Sequence, residues 1–522
     1  MSEYIISLLL LIMPLSTFIA AWLIGQRSRA SNGHVLFKVM VFNSIAFITA
    51  ITLHQIYAFD LLSFLSLTMT RIIMLGLILF ITLILIRFCK HYMQGEPRVN
   101  YFWRWLLLTI TAVLVVVMSN HLALFWLGWV AISLALHKLL MFYPERPRAV
   151  LAAHKKFIVA RVAESLLLIA FGILWFIHNS LYITDITAFY NTTTLPLSFA
   201  EQVAAFLIAF AALIKCAQLP IHGWLIKVVE VPTPVSALLH AGVINLGGFL
   251  LILFAPLFIQ ASAAQWLILI VAGLTTVISA LIMTTRISVK VRLAWSTSAQ
   301  MGLMLVECAL GLFELALLHL VTHSTYKAFA FLNSGNGVNE DLIRRHIPKQ
   351  SPACFAWLTS ALISIIIVGA AWVISSYQGA VSIWLLLASA LTILLANQHG
   401  TATAKTRSKK LLIALLVVFS YVAAKNIFAF ALPLEQWREP AFSLADSWVI
   451  ALILTLMIAS YYLRYQSWRP QVKSLSTLLF AGLYLDEWFT RLTLKIWPIN
   501  LPNNGHTDLK NHAAGITIEE SK

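Results

Sequence analysis

Three titratable side chains, His319, His323 and Lys327, stand at i, i+4 and i+8 in LALLHLVTHSTYKAFAFL. On a helix that spacing lines them along one face. Two histidines one turn apart can ligate a metal, but no acidic or cysteine partner lies close by in sequence. An ionisable group at mid-membrane costs roughly 2.5–3.5 kcal/mol and needs a use, so a stripe of His, His and Lys in an apolar run suits a proton relay. A satisfied hydrogen-bond cluster between helices is the competing reading. Lys215 poses the same problem. It follows a largely apolar stretch and closely precedes Pro220. That places it beside a helix break, a feature tolerated in a bilayer where it lines an enclosed or watery cavity. A lysine there can load and release a proton, unless it snorkels to the interface. Glu164, about two turns inside its helix in FIVARVAESLLLIAFGILWF, is a natural counter-ion for such a lysine; a local bond to Arg161 or Lys156 competes. His240, just beyond Pro232 and Pro234, is a further relay candidate. Glu307 is intramembrane too, with no partner evident. His54 and His137 lie near span ends, where a structural role suffices.

Composition says what must hold these residues. The 522-residue chain is 60% hydrophobic and 11% charged, with a mean hydropathy of +0.87. A soluble protein that apolar would lack the polar surface to cover its core. Apolar runs of about 18–25 residues recur, the length that crosses roughly 30 Å of hydrocarbon. They lie near 4–24, 35–55, 61–89, 103–119, 122–142, 157–178, 202–229, 233–258, 264–284, 294–311, 313–334, 353–376, 380–397, 410–430 and 446–463. The chain is therefore expected to be an all-α polytopic membrane protein of about 15 transmembrane helices, since hydrocarbon obliges each backbone to bond within its own segment.

The net charge of +16 invites a nucleic-acid reading, but its distribution rejects one. Arg27/Arg29, Arg87/Lys90/Arg98, Arg146/Arg148/Lys155/Lys156, Arg286/Lys290/Arg292, Arg344/Arg345/Lys349, Lys405/Arg407/Lys409/Lys410 and Arg464/Arg469/Lys473 occupy every second connection. The connections between them, near 56–60, 118–121, 179–200, 259–263, 377–379 and 431–445, carry almost no basic charge. The positive-inside rule then puts the N-terminus in the periplasm and the C-terminal tail in the cytoplasm of an inner-membrane protein. Arg71 is the one dissonant charge, expected at the outer end of a long third span. The N-terminal run lacks a basic n-region and a cleavage site, so a retained first span is expected. Cys89, Cys216, Cys308 and Cys354 are scattered singly, as small packing residues. In the tail, LLFAGLYLDEWFTRLTLKIW reads as an interfacial or partner-binding amphipathic helix, and the last twenty residues as polar and disordered.

The run LIKCAQLPIHGWLIKVVEVPTPVSALLHAGVINLGGFLLI resembles the signature of the proton-antiporter subunits of respiratory complex I and of Mrp-type cation antiporters. DLLSFLSLTMT, YMQGEPRVNYFWRW, HLALFWLGW, KKFIVARVAE, VKVRLAWSTSAQMG and HLVTHSTYKAFAFLNSG follow the family order, so the resemblance covers residues 60–335. It implies two inverted five-helix repeats with broken helices and a row of protonatable residues across the membrane midplane. By motif, Lys215 matches the broken-helix lysine and Lys290 a lysine in the loop before the next span. His240, His319, His323 and Lys327 match relay positions, and Glu164 an acidic residue of the sixth span. The implied organisation is N-terminal helices in 1–100, a first repeat in 101–260 and a second, degenerate repeat in 261–400. C-terminal helices follow in 401–465 and a cytoplasmic tail in 466–522.

Departures narrow the match. The family carries a glutamate after LGW, where this chain has Val130, which shifts weight to Glu164. The second repeat offers ACFAWLTSALISIIIVGAAWV, without a charge or a proline, where a charged broken helix is usual. The sequence also ends soon after residue 500, leaving no room for the lateral helix of the largest complex I subunit. These features, with HAGVINLGGFLLI and AGLYLDEWFTRLTLKIWPINLP, resemble the DabB family, the membrane subunits of DAB inorganic-carbon accumulation systems. That resemblance implies a DabA-like cytoplasmic zinc partner similar to a β-carbonic anhydrase. Protons moving through this subunit, with sodium as the other candidate ion, would drive one-way hydration of CO2 in the partner. The alternative is a proton- or sodium-translocating subunit of a redox complex or Mrp-type antiporter. An inert membrane anchor is the third reading, and buried charges this costly argue against it. With no zinc-ligand set, nucleotide loop or Fe–S spacing, no catalytic residue, metal or cofactor is expected in this chain.

Overall fold

A computed structural model describes residues 4–24, 32–57, 61–193, 195–337, 342, 352–375, 377, 379–396, 404–432 and 438–498. Arg27, Arg29, Arg344, Arg345, Lys349 and the last twenty residues lie outside them, as do the side chains of Lys405 and Arg407. Among the described residues the structure is helical, with two isolated bridges, Leu65 to Ser119 and His121 to Tyr182, in place of strands.

The first half comprises α1 (Ile5–Leu23), α2 (Asn32–Tyr57), α3 (Met69–Tyr92), α4 (Val99–Met118), α5 (Leu122–Leu140), α6 (Pro147–His178), α7 (Ile183–Thr192), α8 (Phe199–Lys215), α9 (Gly223–Lys227), α10 (Thr233–Ala241), α11 (Leu246–Leu253) and α12 (Ala255–Phe258). The second comprises α13 (Ser262–Thr284), α14 (Val289–Ala309), α15 (Phe313–Leu332), α16 (Cys354–Ile374), α17 (Ser382–Ala396), α18 (Ala404–Ala431) and α19 (Leu444–Tyr465). The tail contains α20 (Pro470–Phe480) and α21 (Glu487–Ile496). Eleven segments are long and apolar enough to cross a membrane. Four more, α8 with α9, α14, α15 and α17, complete the fifteen runs; the first three fall short because they carry the break after Lys215 and several polar residues, and α17 because it is short. The protein is a multi-pass membrane protein. α10 and α11 form its centre and are almost wholly buried, while α16, α18 and α19 turn large apolar side chains such as Phe355, Ile365 and Phe419 outward.

Local sequence explains where the helices stop. The run expected to cross from residue 61 stays non-helical until Met69, because its backbone finds partners elsewhere: Leu62 N–H donates to Ser7 Oγ (3.0 Å) and Ser66 N–H to Met118 O (3.1 Å). Arg71 therefore sits in the first turn of α3, buried, and donates to Ser119 O (2.9 Å) as a brace for that end. The connection expected at 179–200 contains α7, which packs Ile183, Ile186 and Tyr190 inward. A Ser198–Glu201 capping box starts α8. The helix ends in a Schellman pattern, with Ala217 N–H to Ile214 O and Gln218 N–H to Leu213 O, both at 3.1 Å. Ala217 takes the left-handed position (φ +52°) that glycine normally fills, at about 1–2 kcal/mol, and Pro220 prevents the helix resuming. α9 then picks up one turn later. In the second half α16 runs unbroken over 21 residues.

Successive spans alternate in direction, so Arg87, Lys90, Arg98, Arg146, Arg286 and Arg469 emerge at one end of the bundle, called here the basic end. The stretch expected as one tail helix is two, separated by a turn at 481–486, and both lie across that basic end.

Candidate functional site

Three clusters of buried polar side chains run through the bundle. The first surrounds Lys215, on the last turn of α8. Its ammonium stands 4.3 Å over the Trp129 ring of α5 and lines a cavity of about 30 Å³ with Ser133, Lys156, Glu164 and Trp224. That is room for a water or two. Glu164 pairs with Arg161 (2.7 Å), accepts from Ser133 Oγ (2.5 Å), and has its backbone carbonyl held by Trp126 Nε1 (2.8 Å). Arg161 also bonds Ser133, and Lys156 Nζ donates to Ser133 O (2.6 Å). The carboxylate expected as the lysine's counter-ion thus holds its local partner Arg161, while Lys215 rests on an aromatic face across a shared cavity. Val130, at the usual glutamate position, is half-buried, and its neighbours Trp129 and Ser133 face the cavity.

The second cluster lies where α10 packs on α15. Lys327 is fully buried and donates to Leu293 O (2.9 Å). His240 meets Thr297 Oγ1 through Nδ1 (3.1 Å) and stacks on Phe331 at 4.4 Å. His240 Nε2 and His323 Nε2 are buried and have no hydrogen-bond partner among the described residues. Asn245, in the 3₁₀ turn between α10 and α11, donates to Ser324 Oγ of α15 (2.6 Å).

The third cluster gives Glu307 a partner that the sequence did not reveal. His319 Nδ1 meets both Glu307 oxygens at 3.1 Å, and its Nε2 meets Gln300 Oε1 at 2.9 Å. The pair opens on a crevice of about 610 Å³ between α15 and α18, with Tyr421 on its far wall. His319 and His323 lie on one face as their spacing requires, ring centres 6.1 Å apart. Lys290 stands outside all three clusters, donating to Thr233 Oγ1 (2.8 Å) at the start of α10. His137 meets Ala153 O (3.2 Å). Among the described residues no three of His, Cys, Asp or Glu converge as a metal site, and all four cysteines are unpaired.

Several participants carry no sequence signal. Ser133 and Trp129 are ordinary helix residues. Glu314 and Arg438 form a buried pair at 2.7 Å that fixes the start of α15, although 124 residues separate them. At the basic end Asp486 joins Lys155 (2.7 Å) and Lys227 (2.9 Å). Burial alone would push the Asp486 carboxyl up; the two ammonium groups outweigh it and hold it below the usual carboxylate value.

A family profile described as NADH:quinone oxidoreductase/Mrp antiporter, TM, matches residues 119–349, which hold all three clusters. A protein of Hydrogenovibrio crunogenus described as probable inorganic carbon transporter subunit DabB is 48% identical over 83% of this chain and 83% of its own length. The chain belongs to the DabB family. A second member, described as probable inorganic carbon transporter subunit DabB2 of Halothiobacillus neapolitanus, is 37% identical over 82% of this chain and 79% of its own. The fold of the family is antiporter-like: a chain in the structure of the Mrp complex from Dietzia sp. DQ12-45-1b superposes with a TM-score of 0.60 at 16% identity, covering 97% of this chain and 62% of that one. The DabB relatives are transporter subunits by description.

Proposed function

We propose that this chain is the proton-translocating membrane subunit of an energy-coupled inorganic-carbon uptake complex. The observation that carries the reading is the row of costly buried charges: Lys215 with Glu164 and Lys156, then His240, His323 and Lys327, then His319 with Glu307. It occurs in a chain closely similar to a protein described as an inorganic carbon transporter subunit. The basic end faces the cytoplasm of an inner-membrane protein, by the positive-inside rule. Residues 101–260 and 261–400 act as the two antiporter-like halves. Protons pass from the Lys215 cavity through the α10–α15 cluster to the His319–Glu307 crevice, and each transfer changes which partner Glu164 attracts. Movement along this row drives CO2 hydration in a cytoplasmic, DabA-like zinc partner.

A second reading, an ion-translocating subunit of a redox or antiporter complex, is favoured by the profile match over 119–349. Val130 in place of an acid argues against it. Expression of this chain with its genomic neighbour in a bacterium lacking carbonic anhydrase separates the two. Growth in air that needs both proteins and stops with an uncoupler is the expected result. A sodium ionophore in place of the uncoupler tests the coupling ion. Lys215→Ala should abolish the rescue with both proteins still in the membrane. Rescue that persists in Lys215→Ala sinks the proposed path, and no rescue despite confirmed membrane expression favours the second reading.

A further inference from the structure

The tail reaches back onto the site. Asp486, just before α21, bridges Lys155 of α6 and Lys227 of α9, and Thr490 Oγ1 accepts from both lysines, at 2.6 and 3.4 Å. Lys155 is fully buried although it lies at the basic end, so its ammonium depends on the tail for compensation. At the far end of α21, Trp497 stacks on His154 of α6 at 3.8 Å. The two elements clamped together are the ones that bound the lysine cavity. α6 supplies Lys156 and Glu164, while α9, the half-helix beyond the break, supplies Trp224. α9 is one turn and a half long, with non-helical backbone on its N-terminal side and a single 3₁₀ turn on the other. Its own hydrogen bonds hold it weakly, and the tail supplies external contacts. Gly223 opens α9 directly beneath Asp486; a Cβ there would overlap the carboxylate, so the approach requires glycine. Between α9 and the tail an open mouth of about 410 Å³ is lined by His222, Lys227, Arg286, Trp295 and Asp486.

We propose that Asp486 is a positioning residue for ion translocation: by clamping α9 to α6 it keeps the Lys215 cavity closed toward this mouth, and release of the clamp opens it. The inference rests on the reading that Lys215 carries the transported proton. It assigns the tail a mechanical task, linking whatever binds its outer face to the half-helix beside the lysine.

The test uses the full-length chain in everted membrane vesicles, with passive proton flux under an imposed pH gradient followed by a fluorescent amine. Asp486→Asn should raise the flux roughly tenfold, the shift in an open–closed equilibrium given by about 1.4 kcal/mol of lost clamping. Gly223→Ala, which dislodges the carboxylate without changing any charge, should do the same. Adding Lys215→Ala to either should return the flux to background, a dependence that general loosening of the tail would not show. Unchanged or reduced flux in both Asp486→Asn and Gly223→Ala overturns the clamp. Raised flux that ignores Lys215→Ala also overturns it, as a leak outside the site. The reading beneath it fails separately, when Lys215→Ala leaves carbon uptake by the otherwise unaltered complex intact.

Discussion

Glu164→Gln distinguishes a proton-carrying carboxylate from an anchor for Arg161. The amide keeps the side-chain volume and can still accept from Ser133, so the substitution removes charge and little else. Breaking a fully buried ion pair costs about 3–5 kcal/mol because the orphaned partner stays desolvated. Arg161 is 34% exposed, so water takes over part of its solvation and the loss falls to about 1–2 kcal/mol, toward the range of exposed pairs. The variant should therefore reach the membrane at the normal level with a modestly lowered melting temperature in detergent. Turnover should suffer far more. An amide cannot take up the proton, and a positioned acid or base is worth roughly 10²–10⁴-fold in rate. The measurement is the initial rate of inorganic-carbon uptake, normalised to the amount of chain in the membrane, beside thermal unfolding of the same preparations. Uptake at the wild-type rate with a lowered melting temperature would refute the reasoning and leave Glu164 as the clasp of Arg161.

Two further outcomes are expected. Glu314→Gln should destabilise by about 1.5–3 kcal/mol, the worth of a buried hydrogen bond to a charged group, since Arg438 is only 7% exposed; denaturant unfolding in detergent measures it, and a change within error contradicts the pairing. For Asp486 the lowered folded value makes the clamp a stabilising contact that is complete above the unfolded carboxylate value of about 4 and is lost as pH falls through the folded value. Proteolytic release of the tail should stay flat between about pH 5 and 7 and rise in stronger acid; release that climbs between those values would count against the lysine pairing.

Why some of this was legible in the sequence and some was not follows from particular residues. Lys215, Glu164 and Lys327 announce themselves because a charge in an apolar run is expensive whatever surrounds it. The i, i+4, i+8 spacing of His319, His323 and Lys327 needs only helix geometry, and the structure keeps it. Partnerships are another matter. Glu307 finds His319 because α14 and α15 pack side by side, and Glu314 finds Arg438 across most of the second half. Neither relation has a local signature. Ser133 and Trp129 are invisible for a further reason: a serine and a tryptophan in a membrane helix have many uses, and only the register of α5 against α6 and α8 decides theirs. The start of α3 was misplaced because hydrophobicity cannot distinguish a helix from an apolar segment whose backbone pairs elsewhere.

The unbroken, uncharged α16 has a thermodynamic consequence. Among the described residues the break at 216–222 is the one that sets a lysine beside a cavity, and the proposed path treats the three clusters as a single file. One such file moves one elementary charge per cycle on the proposed reading. A charge falling through 100 mV releases about 2.3 kcal/mol, enough to hold roughly a fiftyfold ratio of accumulated product to supply. Any steeper gradient demands a larger membrane voltage, an added pH difference, or more than one copy of this chain for each partner.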